Sequence, residues 1–461
     1  METQISSINA IVQQRRSYFE TGVTKSLTWR ESQLRSLKRL LVEQEEALQG
    51  ALQQDLSKGV YESYISEIGF VISEAEFALK NLKKWSKTRK VSTPLLAQLG
   101  QSYIVPEPLG TILIIGAWNY PVQLVLGPLV AVLAAGNCAI LKPSEIAVNC
   151  SKVIAELLPQ YLDQDAVTVI QGGVEETTEI LKQRYDHILY TGGEGVAKIV
   201  MRAAAQYLTP ITLELGGKNP CIVDSNSDAL VTAARIVWSK WMNVGQTCVA
   251  PDYVVVEQRY VNELIDALKK QLNVFYGDNI ASNSDYGRII NQRHTQRLID
   301  CLQGETIVAG GKHDVTERFI EPTIVLNPEE NSLLMQSEIF GPILPIITVE
   351  QIVDALPIIK DRPKPLALHL YTKDKQLEHQ VLAELSAGNV SINDGMMYMA
   401  NPNLPFGGVG NSGTGRYHGQ FGFDAFSHLK AVMKRATFID IPLRYPPFTK
   451  NKLKIIRKLM K

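Results

Sequence analysis

The sequence predicts an α/β protein built on layered, mostly parallel sheets, and three observations carry that reading. Beyond residue 85 or so, strand-length apolar runs alternate with helical patterns, the order that builds parallel sheets covered by helices. Residues 108–141 carry no charged side chain yet are punctuated by Gly and Pro, as expected of a strand–helix–strand unit buried on both faces. The chain has 461 residues, 45% of them hydrophobic and 20% charged, enough for two or three domains with a sizeable core.

Taken in order, residues 1 to about 85 have few Gly or Pro and long Gln/Glu/Lys/Leu stretches, and read as helical. Gly110 to Gly116 is then a β-branched run of strand length, and Trp118-Asn-Tyr-Pro121 turns the chain. Pro121 suits the first turn of a helix reaching about Ala135, where Gly136-Asn137 supplies a stop. Cys138 to Lys142 is a second short strand. The whole stretch is long enough to cross a bilayer; its internal punctuation favours the soluble reading. Further strands are expected at 167–171, 187–191, 220–223 and 253–256, with helices at 150–158, 175–184 and 196–207. Two stretches stand apart as candidate arms or ribbons: 88–104, polar and β-leaning, and 404–422, very rich in Gly. No internal repeat or low-complexity tract occurs.

Composition excludes several classes. Lys plus Arg and Asp plus Glu each number 47, which argues against holding nucleic acid by bulk charge. Gly and Pro make up about one residue in nine, which removes collagen-like and disordered classes. The five cysteines are odd in number and lack CxxC or CxxH spacing, so neither a disulfide framework nor a metal site is expected. Reduced thiols in a cytoplasmic protein fit better, and the N-terminus lacks the apolar stretch of a secretory signal.

Three segments carry chemistry. Gly192-Gly193-Glu194-Gly195 follows a strand and opens a helix, a place where free backbone N–H groups and the helix dipole favour an anion. The spacing is not GxGxxG, and a ligand-free turn is an equal reading of this segment alone. Lys142-Pro-Ser-Glu145 ends another strand, where open α/β sheets bind ligands; Lys142 and Glu145 can hold ribose hydroxyls and phosphate, or form a solvated turn. Cys248 follows a Gly-Gln-Thr loop rather than lying in an apolar run, so its sulfur can be exposed and its pKa tuned. Glu214, between leucines and just before Gly216-Gly217, is an acid that partial desolvation can turn into a general base. A surface thiol and a salt-bridged Glu are the competing readings.

Together these residues resemble the aldehyde dehydrogenase superfamily over nearly the whole chain. Trp118-Asn-Tyr-Pro121, Lys142-Pro-Ser-Glu145, Leu213-Glu-Leu-Gly-Gly-Lys218, Gly245-Gln-Thr-Cys248 and Glu338-Ile-Phe-Gly-Pro342 stand in the family's order and spacing. Leu404-Pro-Phe-Gly-Gly-Val-Gly-Asn-Ser-Gly413, Tyr417-His-Gly419, Phe426-Ser-His428 and Arg444-Tyr-Pro-Pro447 resemble the class-3 and fatty aldehyde dehydrogenase branch. The resemblance implies Cys248 as nucleophile, Asn119 as oxyanion donor with the Cys248 N–H, and Glu214 as activator of the hydrolytic water. It implies NAD or NADP as cofactor, held by Trp118, Lys142, Ser144, Glu145, Gly192, Gly193, Leu215, Glu338 and Phe340.

It also implies a Rossmann-like cofactor domain (1–86 and 106–213), an α/β catalytic domain (214–393), a small β oligomerisation arm (87–105 and 394–430), a tail (431–461) and a homodimer. The implied activity is oxidation of medium- to long-chain apolar aldehydes. A coenzyme A-acylating dehydrogenase is the alternative, against which Glu214 argues; a non-catalytic binding protein would require a lost catalytic residue. The family commonly reads Thr-Gly-Ser at the helix start and has a later Gly; here Gly193, Glu194 and Ala197 depart from that pattern. Residues 450–461 hold six cations and no acid. Their helical pattern sets Leu453, Ile456 and Met460 on one face, able to meet an anionic membrane surface, although a frayed tail or a helix packed on its own protomer is equally open.

Overall fold

The computed structural model describes residues 3–460. Five parallel strands form the first sheet, in the spatial order Ile211–Glu214, His187–Thr191, Thr111–Ile115, Cys138–Lys142, Val167–Val169. Reading outward from Thr111–Ile115, chain order runs one way for two crossovers and then reverses. The loops after Thr111–Ile115 and His187–Thr191 therefore flank the switch point where such sheets bind ligands. A two-residue strand, Gly413–Thr414, closes the near edge antiparallel to Ile211–Glu214.

The strands read as unbroken apolar runs because both faces are covered. Ile112 and Ile114 pack among the helices Leu27–Glu43, Gly69–Trp85 and Gln123–Ala135, whereas Leu113 and Ile115 pack on the opposite side with Ile8, Val12 and Val200. The uncharged stretch is thus an interior strand–helix–strand unit, and every residue of Gln123–Ala135 is buried. Among the described residues no helix is long and apolar enough to cross a membrane. The helix starts at Gln123 rather than at Pro121. Its first free N–H groups, those of Val122 and Gln123, bond to the buried Glu67 carboxylate, a distant cap that nothing local in the sequence announces.

A second sheet of seven strands is built from residues 220–392, six of them parallel: Thr323–Leu326, Ile343–Val349, Tyr253–Glu257, Pro220–Val223, Ala367–Tyr371 and Asn389–Ile392. A third, antiparallel sheet joins Arg89–Val91, Gly100–Pro108 and Ser427–Arg435. This ribbon runs past residue 430 to Arg435, where the sequence places the start of the tail, because all nine residues of Ser427–Arg435 pair with Gly100–Pro108. The Gly-rich stretch expected in the arm lies instead against the first sheet, through Gly413–Thr414 and the helix Gly419–Ala425.

Asn137 joins these parts. Its buried carboxamide accepts from the Gly110 N–H at 2.9 Å and donates to the Phe426 carbonyl at 2.9 Å. It thereby ties the first strand of the sheet to the root of the ribbon. Asn137→Ala orphans two buried backbone groups, so we expect a loss of about 2–4 kcal/mol, read as a lower urea midpoint with unchanged slope.

Candidate active site

Cys248 is placed by an unusual turn. The helix Ala229–Trp241 ends, and Asn243, Val244 and Gly245 follow with φ of 51°, 56° and 74°. Two successive non-glycine residues in the left-handed region, one of them β-branched, cost of order 1–3 kcal/mol each. Surrounding bonds hold the turn. Glu62 accepts the Asn243 N–H at 2.9 Å, and the Asn243 amide donates to the carbonyls of Asn119 (2.8 Å) and Gln246 (3.1 Å). The Gln246 side chain bridges the Asn243 and Arg288 carbonyls and the Ile290 N–H. Gly245 is required as well, because a Cβ there would collide with the Gly341 backbone. Beyond the sulfur, Asn219 donates to the carbonyls of Cys248 (2.7 Å) and Ala250 (3.0 Å).

Two cavities meet at this cysteine. One, of about 510 Å³, is walled by Tyr61, Ile65, Phe70, Leu124, Trp238, Met242, Met396, Phe406 and Tyr417. The other, of about 240 Å³, is walled by Trp118, Asn119, Gly192, Gly193, Leu215, His294, Arg297, Glu338 and Phe340. Thr191, Glu214 and Cys248 line both. The second cavity lies at the switch point of the first sheet.

Burial governs the charges here. Glu214 is buried, and neither of its carboxylate oxygens finds a partner among the described residues; desolvation pushes its pKa well above the usual carboxylate value. Burial also pushes the Cys248 thiol up, with Glu338 and Glu214 adding to the shift, while its own N–H and that of Val249 pull it back. Glu338 is pushed up to about 8 by burial and by Asp252, with Lys218 and Arg297 opposing. Asn119 donates one amide proton to the Gln246 carbonyl at 3.1 Å. A carboxamide NH₂ carries two, so this bond orients the second.

The residues predicted from sequence fall into two groups. Cys248, Glu214, Asn119, Trp118, Gly192, Gly193, Leu215, Glu338 and Phe340 share the smaller cavity. Lys142, Ser144 and Glu145 do not: they end the next strand, off the cavity wall. The buried Lys142 ammonium bonds the Pro143 carbonyl (2.9 Å) and Glu145 (3.3 Å), and Ser144 accepts the Ile146 N–H. Sequence reading did not find His294 and Arg297, one turn apart on the helix Gln292–Asp300. The His294 ring lies 5.1 Å from Trp118, which Phe340 meets edge-on at 5.3 Å. Nothing in that polar helical stretch signals a site.

The smaller cavity fits the nicotinamide and phosphate end of a dinucleotide. The helix Glu194–Ala205 has no side-chain cap at Gly193, and space is open where a Cβ would stand on Gly193 or Gly195, so a phosphate can approach the helix N-terminus. Glu194 bonds Lys198 at 2.7 Å, which offsets the negative charge that the sequence departure introduces. The His294 Nε2, buried on the cavity wall, has no partner among the described residues.

Comparison with known proteins decides the family: the model of the aldehyde dehydrogenase family matches residues 2–432. The chain belongs to the aldehyde dehydrogenase family. It is 49% identical over 435 residues to mouse aldehyde dehydrogenase family 3 member B2, covering 94% of this chain and 91% of that one. To the dog aldehyde dehydrogenase named dimeric and NADP-preferring it is 44% identical over 445 residues, covering 96% and 98%. A solved structure of Staphylococcus aureus AldH in a substrate-bound state superposes with a TM-score of 0.96 at 44% identity, covering 98% of this chain and 99% of that one. The protein is accordingly an oxidoreductase acting on aldehydes with NAD or NADP.

A thiol with a raised pKa holds less thiolate at neutral pH than a free cysteine, whose value is about 8.5. Iodoacetamide alkylation of Cys248 in the ligand-free enzyme should therefore keep accelerating through pH 9. A plateau below pH 8 would reveal a resting thiolate instead.

Proposed function

We propose that the enzyme oxidises medium- to long-chain apolar aldehydes to carboxylic acids through a covalent intermediate on Cys248. The observation that carries this reading is the 510 Å³ cavity, whose aromatic, Leu, Ile and Met walls lead to the sulfur. Burying an alkyl chain there is worth about 0.8 kcal/mol per methylene, and the methionines adapt to chains of different length.

In this reading the aldehyde lies in the apolar cavity with its carbonyl carbon against the Cys248 sulfur. The Cys248 thiol gives its proton to solvent and, as thiolate, attacks the carbon. The C=O π pair moves to oxygen, giving a thiohemiacetal oxyanion whose charge is met by the second Asn119 N–H and the Cys248 backbone N–H. One such donor contributes about 10²–10³ in rate. NAD or NADP, when bound, supplies the hydride acceptor for oxidation of the adduct to a thioester. Trp118, Leu215, Glu338 and Phe340 would hold its nicotinamide end, Gly192 and Gly193 its phosphates, and Lys142, Ser144 and Glu145 its adenosine ribose. Glu214 then takes the proton from the water that hydrolyses the thioester; its desolvated, unpartnered carboxylate is basic enough for that task. The same group argues against transfer to coenzyme A.

We also propose a cytoplasmic homodimer, supported by the dimeric dog relative and by the free edge of the strand Ser427–Arg435. The tail forms the helix Lys450–Leu459, which touches the turn Leu95–Ala97 on its own protomer. Lys461 lies outside the described residues. Leu453 and Met460 stay exposed on one face beside the cations, as does Phe448, whereas Ile456, expected on that face, is half-buried. The exposed pair suits shallow insertion into an anionic membrane.

NADH or NADPH formation from C4, C8 and C16 aldehydes tests the substrate reading. We expect kcat/KM to rise from C4 to C8 and beyond, and Cys248→Ser to abolish turnover; a preference for short polar aldehydes, or a serine variant that still turns over, would refute it. For the tail, liposomes containing anionic lipid should pellet the full chain more than a chain lacking 450–461. Equal pelleting would count against membrane contact.

A further inference from the structure

Lys58 and Glu67 form an ion pair with no exposed side-chain surface. Burying two charges costs several kcal/mol per ion, and a well-packed apolar pair often serves stability as well or better. The pair therefore calls for a reason other than stability, and its contacts supply one. The Lys58 ammonium donates to Glu67, donates to the Asn119 carbonyl at 3.0 Å, and sits 4.0 Å over the Tyr120 ring. The second Glu67 oxygen accepts the Val122 and Gln123 N–H groups, each at 3.0 Å. One ion pair thus grips the backbone of residues 119–123 at three points. Glu67 reaches that position from a π-helical turn, Tyr64–Ile68, a distortion that recurs at functional sites. Asn119 is left with its carbonyl fixed by Lys58 and Asn243, and its amide fixed by Gln246.

We infer that Lys58 is a positioning residue for the oxyanion hole: by holding the Asn119 carbonyl and, through Glu67, the helix start beyond it, it sets the direction of the Asn119 carboxamide. This rests on the reading of Asn119 as oxyanion donor. Lys58 itself lines neither cavity; it reaches their walls through Asn119, which lines the smaller, and Tyr120, which lines the larger. A loss confined to kcat with KM preserved separates the first route from the second.

A double-mutant cycle separates this role from that of a plain structural staple. Steady-state oxidation of a C8 aldehyde is measured for Lys58→Met, Asn119→Ala and the double variant. Asn119→Ala should lower kcat by about 10²–10³. Lys58→Met should lower kcat by about tenfold or more while KM for aldehyde and cofactor stays within about threefold, and in the Asn119→Ala background it should cost less than about threefold further. Full, multiplicative loss in the double variant overturns the inference, as does a Lys58→Met enzyme with undiminished kcat. Undiminished turnover in Asn119→Ala overturns instead the reading of Asn119. Should Lys58→Met not fold, Glu67→Gln, which keeps the shape and the backbone acceptor, enters the same cycle with the same expected pattern. A multiplicative loss in the Glu67→Gln cycle, or an undiminished kcat in Glu67→Gln, then overturns the inference.

Discussion

The left-handed run at Asn243, Val244 and Gly245 is the constraint on which the site depends. A valine does not hold that conformation by its own preference, so the turn exists only because the rest of the chain imposes it. Its partners come from four places: Glu62 from the N-terminal helices, Asn119 from the loop after the first strand, Arg288 and Ile290 from the second half of the chain, and Gly341 from beyond Glu338. Cys248 is thus in position only when both large sheets are formed and docked. The same convergence explains why the two cavities meet there: the turn lies in the seam between the sheets.

Burial then decides the electrostatics. Cys248, Glu214 and Glu338 crowd one desolvated spot, and each carboxylate opposes ionisation of the thiol. The nearby ammonium of Lys218 does not relieve this, because it is committed to Asp252 and to the Leu334 and Ser337 carbonyls. Those bonds fix the segment that carries Glu338. Desolvation thus disfavours charge at each of these three groups, which is compatible with an apolar cavity along the other wall. The donors proposed for the oxyanion are uncharged N–H groups that cost little to bury.

What was legible in the sequence follows from the range of the forces involved. The strand–helix–strand reading of 108–141 rested on Gly and Pro acting within a few residues, and the elements lie there, shifted only where Glu67 caps the helix from afar. Cys248 and Glu214 stood out because each sits in a local context that ordinary structural residues avoid. The Gly-rich stretch misled on placement: its glycines serve close backbone approach, as at Gly413, where a Cβ would strike the Leu213 carbonyl, and this binds it to the first sheet rather than the ribbon. The end of the ribbon at Arg435 is set by its partner strand. His294, Arg297 and the Lys58–Glu67 pair carry no local mark; only the fold brings them to the site.

The zero net charge of the chain hides an asymmetry that bears on how it meets a surface. The last twelve residues carry +6, so the remaining 449 sum to −6. Near an anionic bilayer a mildly acidic body would be repelled, whereas each tail cation would be attracted by about 1 kcal/mol. The two terms oppose each other, and the outcome depends on distance. Only the tail can sit within a Debye length of the lipid while the body stays outside it. The tail helix also touches the body, at the turn Leu95–Ala97. Contact made through it would hold the enzyme in one orientation, so the charge split would act as an aligning torque as well as an anchor.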